Sequence, residues 1–170
     1  MEFGVLSGIV VQAQLFFLIF ARIFALIQIS PLLSSRAIPQ VAKIGLSLFV
    51  SSTILPWVAD MGYIIPESGL IYAMLLLGEV LGGLALGFLL VLIYAAFQVA
   101  GQFFSLQMGF GASQVFDPMA QIRLPLMGQF LNLVAMFVFV SIDGFQRVFL
   151  VGVYRSFEAV RAVDFITERQ

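Results

Sequence analysis

Long apolar runs separated by short polar connections dominate the pattern of the chain. The first run covers residues 5–33 and contains one charged side chain, that of Arg22. About 20 apolar residues cross the hydrocarbon core of a bilayer as a helix, so this run predicts a membrane span with length to spare. It lacks the basic start of a secretory signal, which predicts a retained first segment. A second run, residues 44–59, contains Pro56, which predicts a bend or an end there.

The two connections that flank the second run differ in charge. "SSRAIPQVAK" carries Arg36 and Lys43, whereas "DMGYIIPES" carries Asp60 and Glu67 and no cation. Cytoplasmic loops of membrane proteins are enriched in Lys and Arg. The pattern therefore predicts that the first connection is cytoplasmic and the second lies on the opposite side of the membrane.

The third run extends from residue 69 to residue 116 with Glu79 as its only charge. As one helix it would be roughly 70 Å long, about twice the thickness of the hydrocarbon core. We therefore expect the run to fold back or break, and glycines mark the candidate positions: Gly82-Gly83, Gly101 and the "GFG" at residues 109–111.

Residues 124–142 form another run without charge, and an amphipathic stretch follows it. In that stretch charged residues recur at every third position among apolar ones, which is typical of a helix at an interface or against another helix. The predicted fold is all-α: a multi-pass helical membrane protein with long, Gly/Pro-kinked helices and hairpins. We expect residues 1–170 to form a single membrane-embedded unit. The charged positions are Arg155, Glu158, Arg161 and Asp164.

Composition narrows the function classes. Hydrophobic residues make up 62% of the chain and charged residues 10%, and the mean hydropathy is +1.11. Soluble domains average roughly 45–50% apolar and about 25% charged, so the chain belongs in lipid or in a hydrophobic assembly. The net charge of −1 gives no basic surface for nucleic acid. Cys and His are absent from the sequence, and we therefore expect no thiol chemistry, no metal and no cofactor.

The stretch "QMGFGASQVFDP", residues 107–118, interrupts the third run. Gly109 and Gly111 bracket Phe110, and each glycine costs a helix about 1 kcal/mol relative to Ala. It is not a phosphate-binding loop, because Gln114 stands where that motif needs a third glycine. Non-helical backbone at membrane depth survives where protein buries it or where it lines a water-filled cavity. The stretch is either a movable hydrophobic constriction or an ordinary turn in which Asp117-Pro118 caps the next helix.

Arg22 and Glu79 are isolated ionisable residues in apolar runs. A charge at the centre of a bilayer costs about 2.5–3.5 kcal/mol on insertion scales, so each side chain needs a partner or a wet surface. Glu79 either belongs to a proton path or pairs with a cation, on this chain or a neighbour, to fix register. Pairing is favoured because no His and no second carboxylate completes a relay. Arg22 alternatively snorkels to the interface.

Small and amide side chains also recur within the apolar runs. Glycines four residues apart allow another helix to approach closely; they are Gly78, Gly82, Gly83 and Gly87. Amide side chains either hydrogen-bond between helices, at about 0.5–2 kcal/mol each, or face a water-filled channel. Both interpretations stay open for Gln98, Gln102, Gln107, Gln129 and Asn132.

Nearly the whole chain resembles the FliR/SctT family, the R-type subunits of the export gate of bacterial flagella and type III secretion systems. Three segments contribute most, beginning at "FARIFALIQISPLL", "GEVLGGLALGFLL" and "PLMGQFLNLVAMF". Their order and spacing are more specific than any one pair of residues. The matching features are Ala21-Arg22, Pro31-Leu32, Arg36, Pro39, Gly78-Glu79, Ala100-Gly101, Gln107-Met108-Gly109, Asp117-Pro118, Pro125, Asp143-Gly144 and Ser156-Phe157.

The resemblance implies a non-enzymatic channel subunit in the bacterial inner membrane, within the flagellar basal body. It implies assembly with P-type, Q-type and B-type export gate subunits into a helical channel complex, surrounded by membrane lipid, that passes unfolded flagellar export substrates. A loop bounded by Asp117 and Pro118 would plug the closed channel. The residues of this plug loop are Met108, Gly109, Phe110, Gly111, Ala112, Ser113, Gln114, Val115 and Phe116.

The sequence departs from the family at two places. Phe145 stands where members often have His, and the chain ends at Gln170 although members usually continue for two further hydrophobic segments resembling the Q-type subunit. We therefore expect this chain to lack the C-terminal part. The alternatives are a virulence injectisome gate subunit and a small proton-coupled secondary transporter that uses Glu79. A membrane enzyme has no support from paired carboxylates, Cys or His.

Overall fold

The regular structure of the described residues is entirely helical. The computed structural model describes residues 2–35, 38–63, 65–66, 68–108 and 126–159, with backbone alone for residues 2–7 and 126. The predicted all-α fold is confirmed. The elements are α1 (Glu2–Ile29), α2 (Gln40–Ala59), α3 (Gly69–Gln107), α4 (Leu126–Ser141), a π-helix (Gln146–Gly152) and α5 (Val153–Ala159).

Three of these helices are long and apolar enough to cross a membrane, namely Gly8–Ile29, Gln40–Ala59 and Gly69–Gln107. A fourth span results if Met127–Ser141 and Gln146–Ala159 are counted as one broken span. The prediction of a multi-pass helical membrane protein is thereby confirmed. The orientation predicted from the Lys and Arg residues of the connections stays a prediction.

Prolines and a glycine set the ends of the first two helices. α1 ends at Ile29, just before Pro31, because a proline restricts the residue before it and cannot continue the hydrogen-bond ladder. α2 begins directly after Pro39, whose φ of −65° suits a helix start. Pro56 lies inside α2, which ends three residues later at Ala59, and Gly62 then turns the chain at a φ of 67°.

The predicted break at Gly82-Gly83 or Gly101 is wrong, because α3 is one helix of 39 residues. Leu75, Glu79, Gly83 and Gly87 recur at every fourth position on its buried face. The helix absorbs the cost of its glycines because they allow a neighbouring backbone to come close. α3 ends at Gln107, and the third candidate break, at residues 109–111, lies outside the described residues.

The contacts of the chain group into two compact units, Met1–Phe88 with Phe145–Gln170 and Leu89–Gly144. In the first unit α1 and α2 pack along their lengths, and Leu18, Ile19 and Ile54 are fully buried. The buried face of α2 includes two serines, whose hydroxyls donate to carbonyls of their own helix and so bury no unpaired group. The prediction of one membrane-embedded unit over residues 1–170 stays a prediction.

The second unit, Leu89–Gly144, contains an antiparallel pair formed by the last part of α3 and α4. A Cβ atom placed at Gly101 would lie 2.5 Å from the Cα of Gly128, so the two backbones touch there. Further along, the rings of Tyr94 and Phe139 are 6.3 Å apart. These two contacts fix the register of the pair, because residue numbers fall on α3 as they rise on α4.

The contact between α1 and α3 gives a first testable prediction. A Cβ atom at Gly83 would collide with the backbone oxygen of Arg22 and lie 3.0 Å from the Cβ of Ala25. We expect Gly83→Ala to destabilise the protein by about 1–3 kcal/mol through overpacking. Gly45→Ala is the matched control, because nothing lies within 4 Å of a Cβ there; it should be neutral or stabilise by up to about 1 kcal/mol. Melting temperatures in detergent measure both, and equal effects would contradict the close approach.

Candidate functional site

An ion pair is buried in the first unit. Arg22 of α1 and Glu79 of α3 lie with Nε 2.6 Å from Oε2, and their side chains are 2% and 0% exposed. Each is the lone charge of its apolar run, so each supplies the partner that the other needs in a medium without water. The pair lies within one chain.

Three further side chains complete the group around this pair. The Tyr63 hydroxyl donates to Oε1 of Glu79 at 2.5 Å, and Nη1 of Arg22 donates to Oγ of Ser156 at 2.8 Å. The Cζ atom of Arg22 lies 3.8 Å from the ring centroid of Phe157, a cation–π distance. The ring of Tyr63 meets that of Phe157 edge to face at 6.3 Å. We call these five residues the Arg22 cluster.

Glycines of α3 make room for the cluster. A Cβ atom at Gly82 would lie 3.3 Å from Nε of Arg22, and one at Gly83 would overlap the Arg22 carbonyl. Gly87, one turn further, lies against Ile29, with 3.0 Å between a Cβ placed there and the Ile29 Cβ. Gly78 is half-buried. The small residues therefore bring α1 close enough to α3 for the arginine to reach Glu79.

The geometry distinguishes between the alternative roles predicted for Arg22 and Glu79. Arg22 is 1% exposed and faces Glu79, so its guanidinium does not snorkel to an interface. Both carboxylate oxygens of Glu79 are engaged, Oε2 by Arg22 and Oε1 by Tyr63. Because both oxygens are engaged, the geometry favours a structural role for Glu79 over proton transfer. Removing one partner of a buried ion pair costs about 3–5 kcal/mol, so the pair also contributes to stability. That role stays a prediction.

Sequence reasoning identified the two charges but not their companions. Ser156 and Phe157 entered only as part of the family resemblance, and no sequence signal pointed to Tyr63. Three of the motif pairs that carried the resemblance meet in this cluster: Ala21-Arg22, Gly78-Glu79 and Ser156-Phe157. Segments far apart in sequence thus form one packed site, where α1, α3, α5 and the residues following α2 meet.

The predicted plug loop lies almost wholly outside the described residues. Met108 occupies the turn directly after α3 and its side chain is 52% exposed. Residues 109–116 and the bounding pair Asp117-Pro118 are not among the described residues. Their assignment as a plug stays a prediction.

Membrane-length helices joined through a buried ion pair define a polytopic helical membrane protein. Residues 13–168 match the family of bacterial export proteins, family 1. The match includes the whole Arg22 cluster and the predicted plug loop. The chain belongs to this family, which confirms the resemblance to FliR/SctT proteins.

Several relatives of the chain carry the name flagellar biosynthetic protein FliR. The chain is 33% identical over 145 residues to that of Bacillus subtilis (strain 168), covering 85% of this chain and 55% of the relative. It is 34% identical over 130 residues to that of Pectobacterium carotovorum, covering 76% and 49%. The relative from Escherichia coli (strain K12) is 29% identical over 131 residues, covering 77% and 49%. The chain thus spans about half the length of the curated relatives it matches.

Proposed function

We propose that this chain is a membrane subunit of the flagellar type III protein export apparatus in the bacterial inner membrane. The observation that carries the proposal is the family match over residues 13–168. The flagellar names of the relatives favour this role over a subunit of a virulence injectisome. Helices long enough to cross the bilayer agree with a membrane location.

Within that apparatus the subunit acts as a non-enzymatic channel component. It assembles with P-type, Q-type and B-type subunits into a helical complex at the flagellar basal body, through which unfolded flagellar substrates pass. Exposed apolar side chains support the need for partners: Val41 is 80% exposed, Leu70 75% and Phe137 74%. Along its axis α3 measures about 58 Å, against roughly 30 Å of hydrocarbon, so lipid does not cover all of its apolar surface.

The proposed function includes a plug loop that closes the channel. Residues 108–116 close the resting channel, with the bulky side chains of Met108, Phe110 and Phe116 filling the constriction and the glycines allowing them to move. The end of α3 at Gln107 and the exposed turn at Met108 support a departure from the helix at this place. The ordinary helix–helix turn is the alternative that the deletion described in the Discussion tests.

A proton-coupled transporter is less well supported. That mechanism needs a carboxylate that exchanges protons with a solute pathway, whereas Glu79 is fully buried and held on both oxygens.

Co-expression tests the proposed assembly. The full-length protein, tagged and expressed with candidate P-type and Q-type subunits, is expected to co-purify with them in detergent and to be recovered poorly alone. The physical reason is that partner helices cover apolar surface that detergent covers less well. A tagged multi-pass membrane protein of unrelated fold serves as the control for non-specific capture. Recovery of a stable, monodisperse homo-oligomer that ignores both subunits would contradict the proposal.

A further inference from the structure

Five amide side chains lie exposed on the helices α3 and α4. Four of them are Gln98, Gln102, Gln129 and Asn132, and the fifth, Gln107, is the last residue of α3. The surrounding sequence is otherwise apolar, and no charged residue occurs at residues 80–108 or 126–142. Exposed amides at membrane depth are costly against lipid, because their donors and acceptors have no partner in hydrocarbon. The positions of the amides therefore indicate the surface of the helix pair that is not covered by lipid.

The register of the two helices places the amides at matching levels. Gly101 touches Gly128, and Tyr94 contacts Phe139. Residue numbers at one level therefore add up to about 230 along the antiparallel pair, since 101 with 128 and 94 with 139 nearly give that sum. Gln98 accordingly lies at the level of Asn132, and Gln102 close to the level of Gln129.

Helical rotation places the first four amides on one side of the pair, whereas Gln107 lies roughly 120° from Gly101 in the reverse sense. At about 100° per residue, Gln98 and Gln102 lie roughly 60° and 100° around α3 from Gly101. Asn132 and Gln129 lie roughly 40° and 100° around α4 from Gly128, in the same rotational sense. Because a two-fold rotation relates antiparallel helices, equal offsets in the same sense fall on the same side. We call this surface the amide side.

The opposite side of the pair has a different chemistry. Ile93, Phe97 and Phe104 lie roughly 40–80° from Gly101 in the reverse sense, and Val138 lies roughly 80° from Gly128 in the reverse sense. These side chains are 56%, 38%, 54% and 46% exposed. We call this surface the apolar side. The pair thus carries four amides on one side, where Met136 is also exposed, and large apolar groups without amides at matching positions on the other.

The amide side extends to the end of α3 and to the start of α4. Gln102 lies five residues before the end of α3, about 7.5 Å along the axis, and Gln129 lies in the first turn of α4. Four amides also present more donors and acceptors than one apolar helix satisfies, whereas water satisfies them all.

We infer that the amide side faces a water-filled conduit, so that α3 and α4 form part of its wall while lipid or protein covers the apolar side. The inference rests on the proposed function and deepens it. A wall of neutral amides exchanges hydrogen bonds with water and with the backbone of an unfolded chain. Because it carries no charge, it does not hold the charged side chains of passing polypeptides by ion pairing.

Single cysteines test the inference, because residues 1–170 contain no cysteine of their own. The full-length protein would carry Gln98→Cys or Asn132→Cys. Phe97→Cys is the control on the apolar side at the same depth, and Ile93→Cys is a second control about 7.5 Å further along the helix. Membranes open to both sides would be treated with a permanently charged methanethiosulfonate reagent, in the otherwise unaltered protein and in one lacking residues 110–114. Swimming motility of each single-cysteine protein establishes that it folds and assembles.

In the loop-deleted protein we expect the amide-side cysteines to react at least about tenfold faster than the apolar-side cysteines, because hydrocarbon and protein exclude a charged reagent and suppress the thiolate. Equal reactivity on both sides would overturn the inference. An unreactive amide side in a membrane that leaks ions would also overturn the inference, because a partner helix would then cover that side. The proposed function as a gate subunit would be unaffected by that result. Fast labelling of the amide side that is the same with and without the deletion would support the inference and contradict the assignment of the plug loop.

Discussion

Removal of residues 110–114 from the full-length protein is expected to make the assembled gate leak small ions. The deletion takes away Phe110, Gly111, Ala112, Ser113 and Gln114, while α3 and α4 remain. A hydrophobic constriction closes a pore by excluding water, so removing its bulky side chain lets water and ions enter. Each reduction of the barrier by about 1.4 kcal/mol raises ion flux about tenfold.

Leakage would be measured as potassium efflux and loss of membrane potential in cells that produce the variant with the remaining subunits. Ser113→Ala is the control within the same loop, because it removes a hydroxyl and leaves the constriction filled. Co-purification of the deleted protein with its partners separates a leaking gate from one that has not assembled. A membrane that stays tight around a fully assembled variant would reduce residues 108–116 to an ordinary turn.

Breaking the Arg22–Glu79 pair is expected to have the largest effect on stability. Glu79→Leu leaves the Arg22 guanidinium buried without its carboxylate, and Arg22→Met leaves the carboxylate without its cation. Each single change should cost about 3–5 kcal/mol, because an uncompensated charge is then held away from water. The double variant should recover a large part of the loss, since two apolar side chains of similar size need no partner.

Thermal unfolding in detergent and the amount of protein in the membrane measure these three variants. Additive losses would mean that the two side chains are not energetically coupled. Motility of the double variant then separates structure from proton chemistry. A structural pair predicts that motility returns with stability, whereas a proton-carrying Glu79 predicts a stable protein that does not support export. Tyr63→Phe gives an intermediate case, because it removes one hydrogen bond to a charged group, worth about 1.5–3 kcal/mol.

The apolar runs and their prolines were sufficient to predict α1 and α2. The run that contains Arg22 became α1, and Pro31 and Pro39 flank the connection to α2. These features are local, since a helix end depends on backbone geometry within a few residues. Helix type and approximate bounds therefore followed from the sequence alone.

The interior of α3 could not be predicted in the same way. A glycine pair within an apolar run has two meanings, a break or a place of close approach, and local sequence does not separate them. Gly82 and Gly83 favour continuity because Arg22, far earlier in the chain, packs against them. The same limit applies to the Arg22 cluster: isolated charges predicted that partners exist, but tertiary contact selected Tyr63 and Ser156.

The length of α3 has a consequence for biogenesis. A 39-residue apolar helix of about 58 Å exceeds the hydrocarbon core even at a tilt of about 40°. Several apolar turns would therefore be exposed to water during synthesis, before other chains pack against them. We therefore expect the chain to need its proposed partner subunits soon after synthesis, because proteolysis and aggregation compete with assembly. Its abundance in a strain without those subunits should fall accordingly.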